Sequence, residues 1–203
     1  MSISSYYLHS FARKSSQNIQ KNTGIYTWLI KTLNLKELAV GYLWMSFDND
    51  TIYQLANHHR LLITLDAITS LKEDEFEAWS LKNFMRLDCA VKQDDEEMKA
   101  RALNDYRLAC ELNPCQSKFW HDAAQTIYTR LKDPEMALTY ARQSVKLPDA
   151  KVKSRRLLAR IYYELGEEKK ALKLYRKILS GAEAEAADKE IADRMVKVIE
   201  EQL

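Results

Sequence analysis

With 203 residues, 46% of them hydrophobic and 30% charged, the chain has the make-up of one folded domain or one continuous repeat array. Four glycines and three prolines, against plentiful Ala, Leu, Glu and Lys, favour a mostly helical protein and leave little material for a phosphate-cradling loop. A net charge of +2 is too small for a general nucleic-acid binder, so nucleic acid is not the expected partner.

The charge is uneven along the chain. No acidic residue precedes Glu37, whereas Arg13, Lys14, Lys21, Lys31 and Lys36 do. This acid-poor, Ser-rich start resembles a mitochondrial transit peptide or a bacterial secretion signal; a basic helical N-terminus, including a short helix over 3–18, is the expectation preferred here. No apolar h-region is present, which argues against a Sec signal peptide. Residues 25–47 are the longest apolar stretch, but Lys31, Asn34, Lys36 and Glu37 interrupt it. A membrane span needs about twenty mostly apolar residues, so this stretch reads as a core helix over 25–46. Asp48, Asn49, Asp50 and Thr51 then read as a turn with an N-cap. A helical stripe follows over 51–71: Ile52, Leu55, Ala56, His59, Leu62, Ile63 and Ile68. Residues 1–75 are therefore taken as a divergent helical N-terminal region.

From residue 76 the chain repeats. Shifting residues 127–142 by 34 places Ile127 on Ile161, Tyr128 on Tyr162, Leu131 on Leu165, Ala137 on Ala171, Leu138 on Leu172 and Arg142 on Arg176. Each copy reads as helix, turn, helix. In the later copy Gly166 supplies the left-handed residue that ends the first helix. Ala171 is small where two helices approach, and Tyr175 and Ile178 continue its apolar stripe. One hairpin cannot bury both of its faces, which is why such units come stacked.

These residues resemble the tetratricopeptide-repeat family. Residues 152–181 carry its pattern at Leu158, Ala159, Tyr162, Gly166, Ala171 and Tyr175. Residues 118–149 carry it at Tyr128, Ala137 and Leu138, but Lys132 replaces Gly at the turn and Ala141 stands where an aromatic is usual. An upstream unit, 76–114, shows it at Ala102, Tyr106, Ala109 and Pro114, with a longer acidic turn expected at 93–97. The resemblance implies an all-α fold, an α-α superhelix or short solenoid, with repeats at about 76–114, 118–149 and 152–181. Residues 182–203, with Ala187, Ile191, Met195, Val198 and Gln202 at helical spacing, are read as a capping helix.

Catalytic motifs are not found. There is no P-loop, GxGxxG, GxSxG or HRD-type loop. His58 and His59 are adjacent and point about 100° apart on a helix, and His9 and His121 stand alone. Cys89, Cys110 and Cys115 have no CxxC spacing, so neither a disulfide framework nor a zinc site is expected; reduced thiols in the cytoplasm are the default. No enzyme activity, cofactor or metal is anticipated. Trp28, Trp44, Trp79 and Trp120 are read as core residues.

The most informative cluster is KVKSRRLLAR, residues 151–160. Lys153, Arg156 and Arg160 share a helix face at i, i+3 and i+7. In the tetratricopeptide family such positions on the first helix look into a concave groove that binds peptides. The resemblance therefore implies a partner-binding groove of Lys153, Arg156, Arg160 and Tyr163, joined by Arg130, Thr126 and Phe119 of the preceding unit. Arginine makes paired bonds to carboxylates, so an acidic or carboxylate-terminated segment is the fitting ligand. The function expected is non-catalytic protein binding, as adaptor or chaperone. The alternative is an assembly subunit of a larger complex that docks through its basic N-terminal helices.

Overall fold

In the computed structural model, residues 35–52 and 58–202 are described. The expected helix over 3–18, the expected targeting signal, residues 25–34 of the expected helix over 25–46, Trp28, and Leu55 and Ala56 of the stripe lie outside them. Among the described residues all regular structure is helical.

The chain divides into two compact units, residues 1–72 and 73–203. In the first, α1 (Lys36–Ile52) packs against α2 (His58–Leu71). Helix α1 begins at Lys36, with the Ala39 N–H bonded to the Leu35 carbonyl at 2.9 Å. It buries Val40 and Phe47, while α2 buries Leu65, Ile68, Thr69 and Leu71. The turn expected at Asp48–Thr51 is instead the last turn of α1. The polar groups that suggested a cap are used otherwise. Thr51 Oγ1 donates back to the Phe47 carbonyl at 2.8 Å, and Asp50 pairs with Arg60 of α2 at 3.0 Å.

The second unit is built from hairpins in series. Helices α3 (Phe76–Gln93) and α4 (Glu96–Leu112) form the first. Helix α5 (Ser117–Thr126), extended by a wide π turn over Ile127–Leu131, pairs with α6 (Pro134–Lys146). Helices α7 (Val152–Glu164) and α8 (Glu168–Ser180) form the next, and α9 (Ala186–Glu200) packs on α8.

The three hairpin turns share one form, two residues long in the first two and preceded by Leu165 in the third. A left-handed residue ends the first helix and an acidic residue starts the second: Asp94–Asp95, Lys132–Asp133, Gly166–Glu167. The long acidic turn expected at 93–97 is therefore no longer than the others. The extra residues of that hairpin lie in its helices, 18 and 17 residues in α3 and α4 against 13 and 13 in α7 and α8. Asp94 tolerates the left-handed conformation, and the Asp95 carboxylate accepts from the Met98 N–H at 2.9 Å.

Alanines mark the close approaches. Ala102, Ala137 and Ala171 are fully buried, one in each second helix. Tyr106 and Tyr175 fill the core one turn on, and Ala141 occupies the corresponding place in α6. Trp79 is buried, and its indole N–H donates to the Glu73 carbonyl, which also accepts from the Asn113 side chain, both at 2.9 Å. Between the next two hairpins a buried serine network does similar work. The Ser117 N–H donates to the Asp149 carboxylate at 2.9 Å, and Ser144 Oγ reaches the Ser117 carbonyl and Ser154 Oγ. The first N–H of α5 thus gains an acceptor from the chain that leads into α7.

Helix α9 covers the last hairpin with Ala192, Val196 and Ile199. The stripe read from sequence lies one residue away: Ala187 and Ile191 are exposed and Met195 half-buried. The apolar surface of α9 is wider than one stripe, and the part facing α8 is not the part with the larger side chains.

Candidate functional site

The first helices of successive hairpins, α5 and α7, together with α9, border a groove of about 690 Å³. Helix α5 and its π extension contribute His121, Gln125 and Tyr128, spaced i, i+4, i+7. Helix α7 contributes Lys153, Arg156 and Arg160 together with Leu157, Tyr163 and Glu164. Tyr175 comes from α8, and Ile191 and Met195 from α9.

Of the seven residues inferred from sequence, four lie here together: Lys153, Arg156, Arg160 and Tyr163. The Tyr163 hydroxyl is 3.0 Å from Gln202 Oε1. Arg130, Thr126 and Phe119 do not line the groove. Phe119 is buried, edge-on to Phe76 with centroids 5.2 Å apart. Thr126 is buried at the end of α5. Arg130 turns toward α3, 3.2 Å from Asp88 and stacked over Phe84 at 4.6 Å. The reason is geometric. A shift of 34 residues carries one side of a helix onto the same side of the next, whereas a groove between neighbours is lined by the sides that face each other. On α5 that side is His121–Gln125–Tyr128, and Phe119 and Thr126 lie well round the helix from His121, roughly 160° and 140° away. The spacing of those three residues was legible in the sequence. Which side faced α7 was not.

The three cations sit in different electrostatic settings. Arg156 is bonded to Asp188 of α9 at 2.5 Å. Arg160 lies 3.7 Å from Glu164 and over the Tyr128 ring at 5.3 Å, while the Tyr128 hydroxyl donates to Glu164. Lys153 forms no ion pair with the described residues.

Burial, reinforced by Lys153 and Arg156, lowers His121 to about 4, so the imidazole is neutral at physiological pH. Its Nδ1 is buried and has no hydrogen-bond partner among the described residues. Neighbouring Asp122 points the other way and accepts from Ser80 Oγ of α3 at 2.9 Å. Burial pushes its carboxyl up to about 6, against the opposing pull of the Ser80 bond and Lys153. Of these two groups only His121 lines the groove. Among the described residues no cluster of three or more His, Cys, Asp or Glu is arranged to hold a metal. His58 and His59 are both exposed on α2.

Residues 155–181, which span most of α7 and all of α8, match the family model described as tetratricopeptide repeat. This unit is a tetratricopeptide repeat. Solved structures similar to the chain share its α-α superhelical fold. One is the MamA protein, with a TM-score of 0.57 and 11% identity over 80% of this chain and 81% of that one. Another is TTC0263, a thermophilic tetratricopeptide-repeat protein of Thermus thermophilus, with a TM-score of 0.54 and 16% identity over 84% of this chain and 95% of that one. At these identities the likeness is one of fold. No curated protein matches the sequence. Among the described residues, no helix is long and apolar enough to cross a membrane.

Proposed function

We propose that the chain is a non-catalytic protein-binding module, an adaptor or chaperone, whose groove receives a peptide segment bearing an acidic group. The observation that carries this reading is the meeting of Lys153, Arg156 and Arg160 in one concave space large enough for several side chains. Charged walls of one sign attract and orient a segment of the other. The three cysteines are unpaired, which fits the cytoplasm as its compartment.

The test is affinity capture with the intact chain beside Lys153→Glu/Arg160→Glu. Arg156 is left in place because its bond to Asp188 ties α7 to α9. A partner lost from the double variant, at unchanged melting temperature, supports the groove. A partner retained in full removes it.

One observation favours a second reading, an assembly subunit that docks through its N-terminal region. Leu38, Tyr42 and Met45 form an apolar stripe on α1 at i, i+4 and i+7, and they are 74%, 43% and 63% exposed. On that reading the groove variant keeps its partner and Leu38→Glu/Met45→Glu loses it.

A further inference from the structure

The groove's cations are three in number but not in availability. Asp188 occupies Arg156, and Glu164 with the Tyr128 ring attends Arg160. Lys153 is exposed at the start of α7 and forms no ion pair among the described residues, although the Asp122 carboxylate, held by Ser80, feels its charge. Beside it stands neutral His121 with its buried, unpartnered Nδ1. One end of the groove therefore offers one positive charge that stands outside any ion pair among the described residues.

The other wall is apolar and comes from α9. The helix covers the last hairpin with Ala192, Val196 and Ile199, yet presents Ile191, 37% exposed, and Met195 to the groove beside Leu157. A helix that served only to end the stack would show polar side chains there. Methionine and isoleucine on an open wall make an adaptable seat for a large apolar side chain.

We propose that the groove selects a segment carrying one carboxylate close to one large apolar side chain. The carboxylate meets Lys153 and the apolar group seats on Ile191 and Met195. Asp188 is the specificity-determining residue that disfavours a second acid. This rests on the groove reading above and narrows it. A second carboxylate reaches Arg156 only by displacing Asp188, which then remains in the groove as an unpaired like charge. The exchange gains one ion pair, loses another and adds repulsion. Asp188→Asn removes both obstacles.

The probe is a displayed library of random heptapeptides, selected separately on the full-length chain and on its Asp188→Asn variant. Representative peptides are then synthesised and titrated against Lys153→Met, Arg160→Met and Ile191→Ser, all changes at exposed side chains. Peptides selected on the unaltered chain are expected to carry one Asp or Glu within a few residues of Leu, Ile, Met or Phe. Their affinity should fall roughly tenfold in Lys153→Met and about threefold in Ile191→Ser. Asp188→Asn should enrich two-acid peptides and bind them about fivefold more tightly than the unaltered chain does. The inference is overturned if the unaltered chain already selects two-acid peptides, or if acid-free peptides dominate. It also falls if Ile191→Ser changes nothing. Should Asp188→Asn melt early, the Lys153→Met and Ile191→Ser titrations still decide. Groove-dependent binding of peptides without the acid–apolar pairing sinks this inference alone. If Lys153→Met and Arg160→Met bind the peptides unchanged, or no peptide is selected, the groove reading falls with it.

Discussion

In the α5–α6 turn the left-handed position is held by Lys132 at φ 54°, and in the α7–α8 turn, 34 residues on, by Gly166 at φ 72°. A side chain at Gly166 would meet nothing within 4 Å, so its only role is conformational. Lysine in the same position carries strain of about 1–2 kcal/mol. The start of the following helix is reversed in quality. Asp133 accepts from the Met136 N–H at 2.8 Å and Pro134 opens α6, whereas Glu167 makes no such cap for α8. A cap of that kind contributes about 1 kcal/mol. Each hairpin thus has one favourable turn residue and one poor one, and both close. The bend is imposed by the packing of the two helices, and the turn residues only set its cost. A second difference runs through the same pair of hairpins. Asp122 of α5 reaches back to Ser80 on α3, while Arg156, its counterpart 34 residues on, reaches forward to Asp188 on α9.

If packing imposes the bend, the largest loss should come from what the hairpins share. Ala171→Trp overfills a fully buried contact and should cost about 1–3 kcal/mol or more. Thermal unfolding checks this; an unchanged melting temperature would remove Ala171 from the interface between the two helices.

The contrast between Asp122 and Arg156 has a pH signature. Asp122, raised from 3.8 to about 6, holds a proton in the folded chain that the unfolded chain has released, so it destabilises the fold above pH 6. That penalty fades as pH falls from 6 to below 3.8. Asp122→Asn keeps the acceptor for Ser80 and should stabilise by about 1–3 kcal/mol at pH 7, with most of the gain lost by pH 4. His121 acts in the opposite sense. Lowered from 6.5 to about 4, it excludes a proton that the unfolded chain accepts, so stability is lost as pH falls through that window. In the unaltered chain the two slopes largely offset each other. In Asp122→Asn the His121 slope should stand alone, read from denaturant titrations at a series of pH values. A gain that persists unchanged at pH 4 would contradict the assignment.

The smallest effects lie in the turns themselves. Gly166→Ala should cost about 1 kcal/mol through backbone strain, since the site is open, and Lys132→Gly should stabilise by up to about 1 kcal/mol. Chemical denaturation resolves both. Equal and negligible shifts would mean that the left-handed conformation carries no cost in either hairpin.

Much of the helical fold was legible because burial repeats at fixed spacing. The 34-residue shift from Ile127 to Ile161 and from Ala137 to Ala171 needs no coordinates, and Gly166 announces its own backbone conformation. The groove was legible in part. Lys153, Arg156 and Arg160 lie on one helix, so their common face follows from local geometry alone. Arg130, Thr126 and Phe119 were reached by shifting along the repeat, and that step fails where neighbouring helices face each other.

By itself, the amino-acid order determined the properties that are local and periodic: helices, the 34-residue repeat, and the basic face of α7. The tertiary structure decided which sides of α5, α7 and α9 meet, and so brought His121, Ile191 and Met195 to the groove. It also decided that Asp188 neutralises Arg156 while Lys153 is left without an ion pair among the described residues. The physical reason is that helical periodicity specifies a face, whereas the partner of that face depends on how successive hairpins rotate and stack. Charge pairing across that stack is a property of distance between helices, which sequence spacing does not encode.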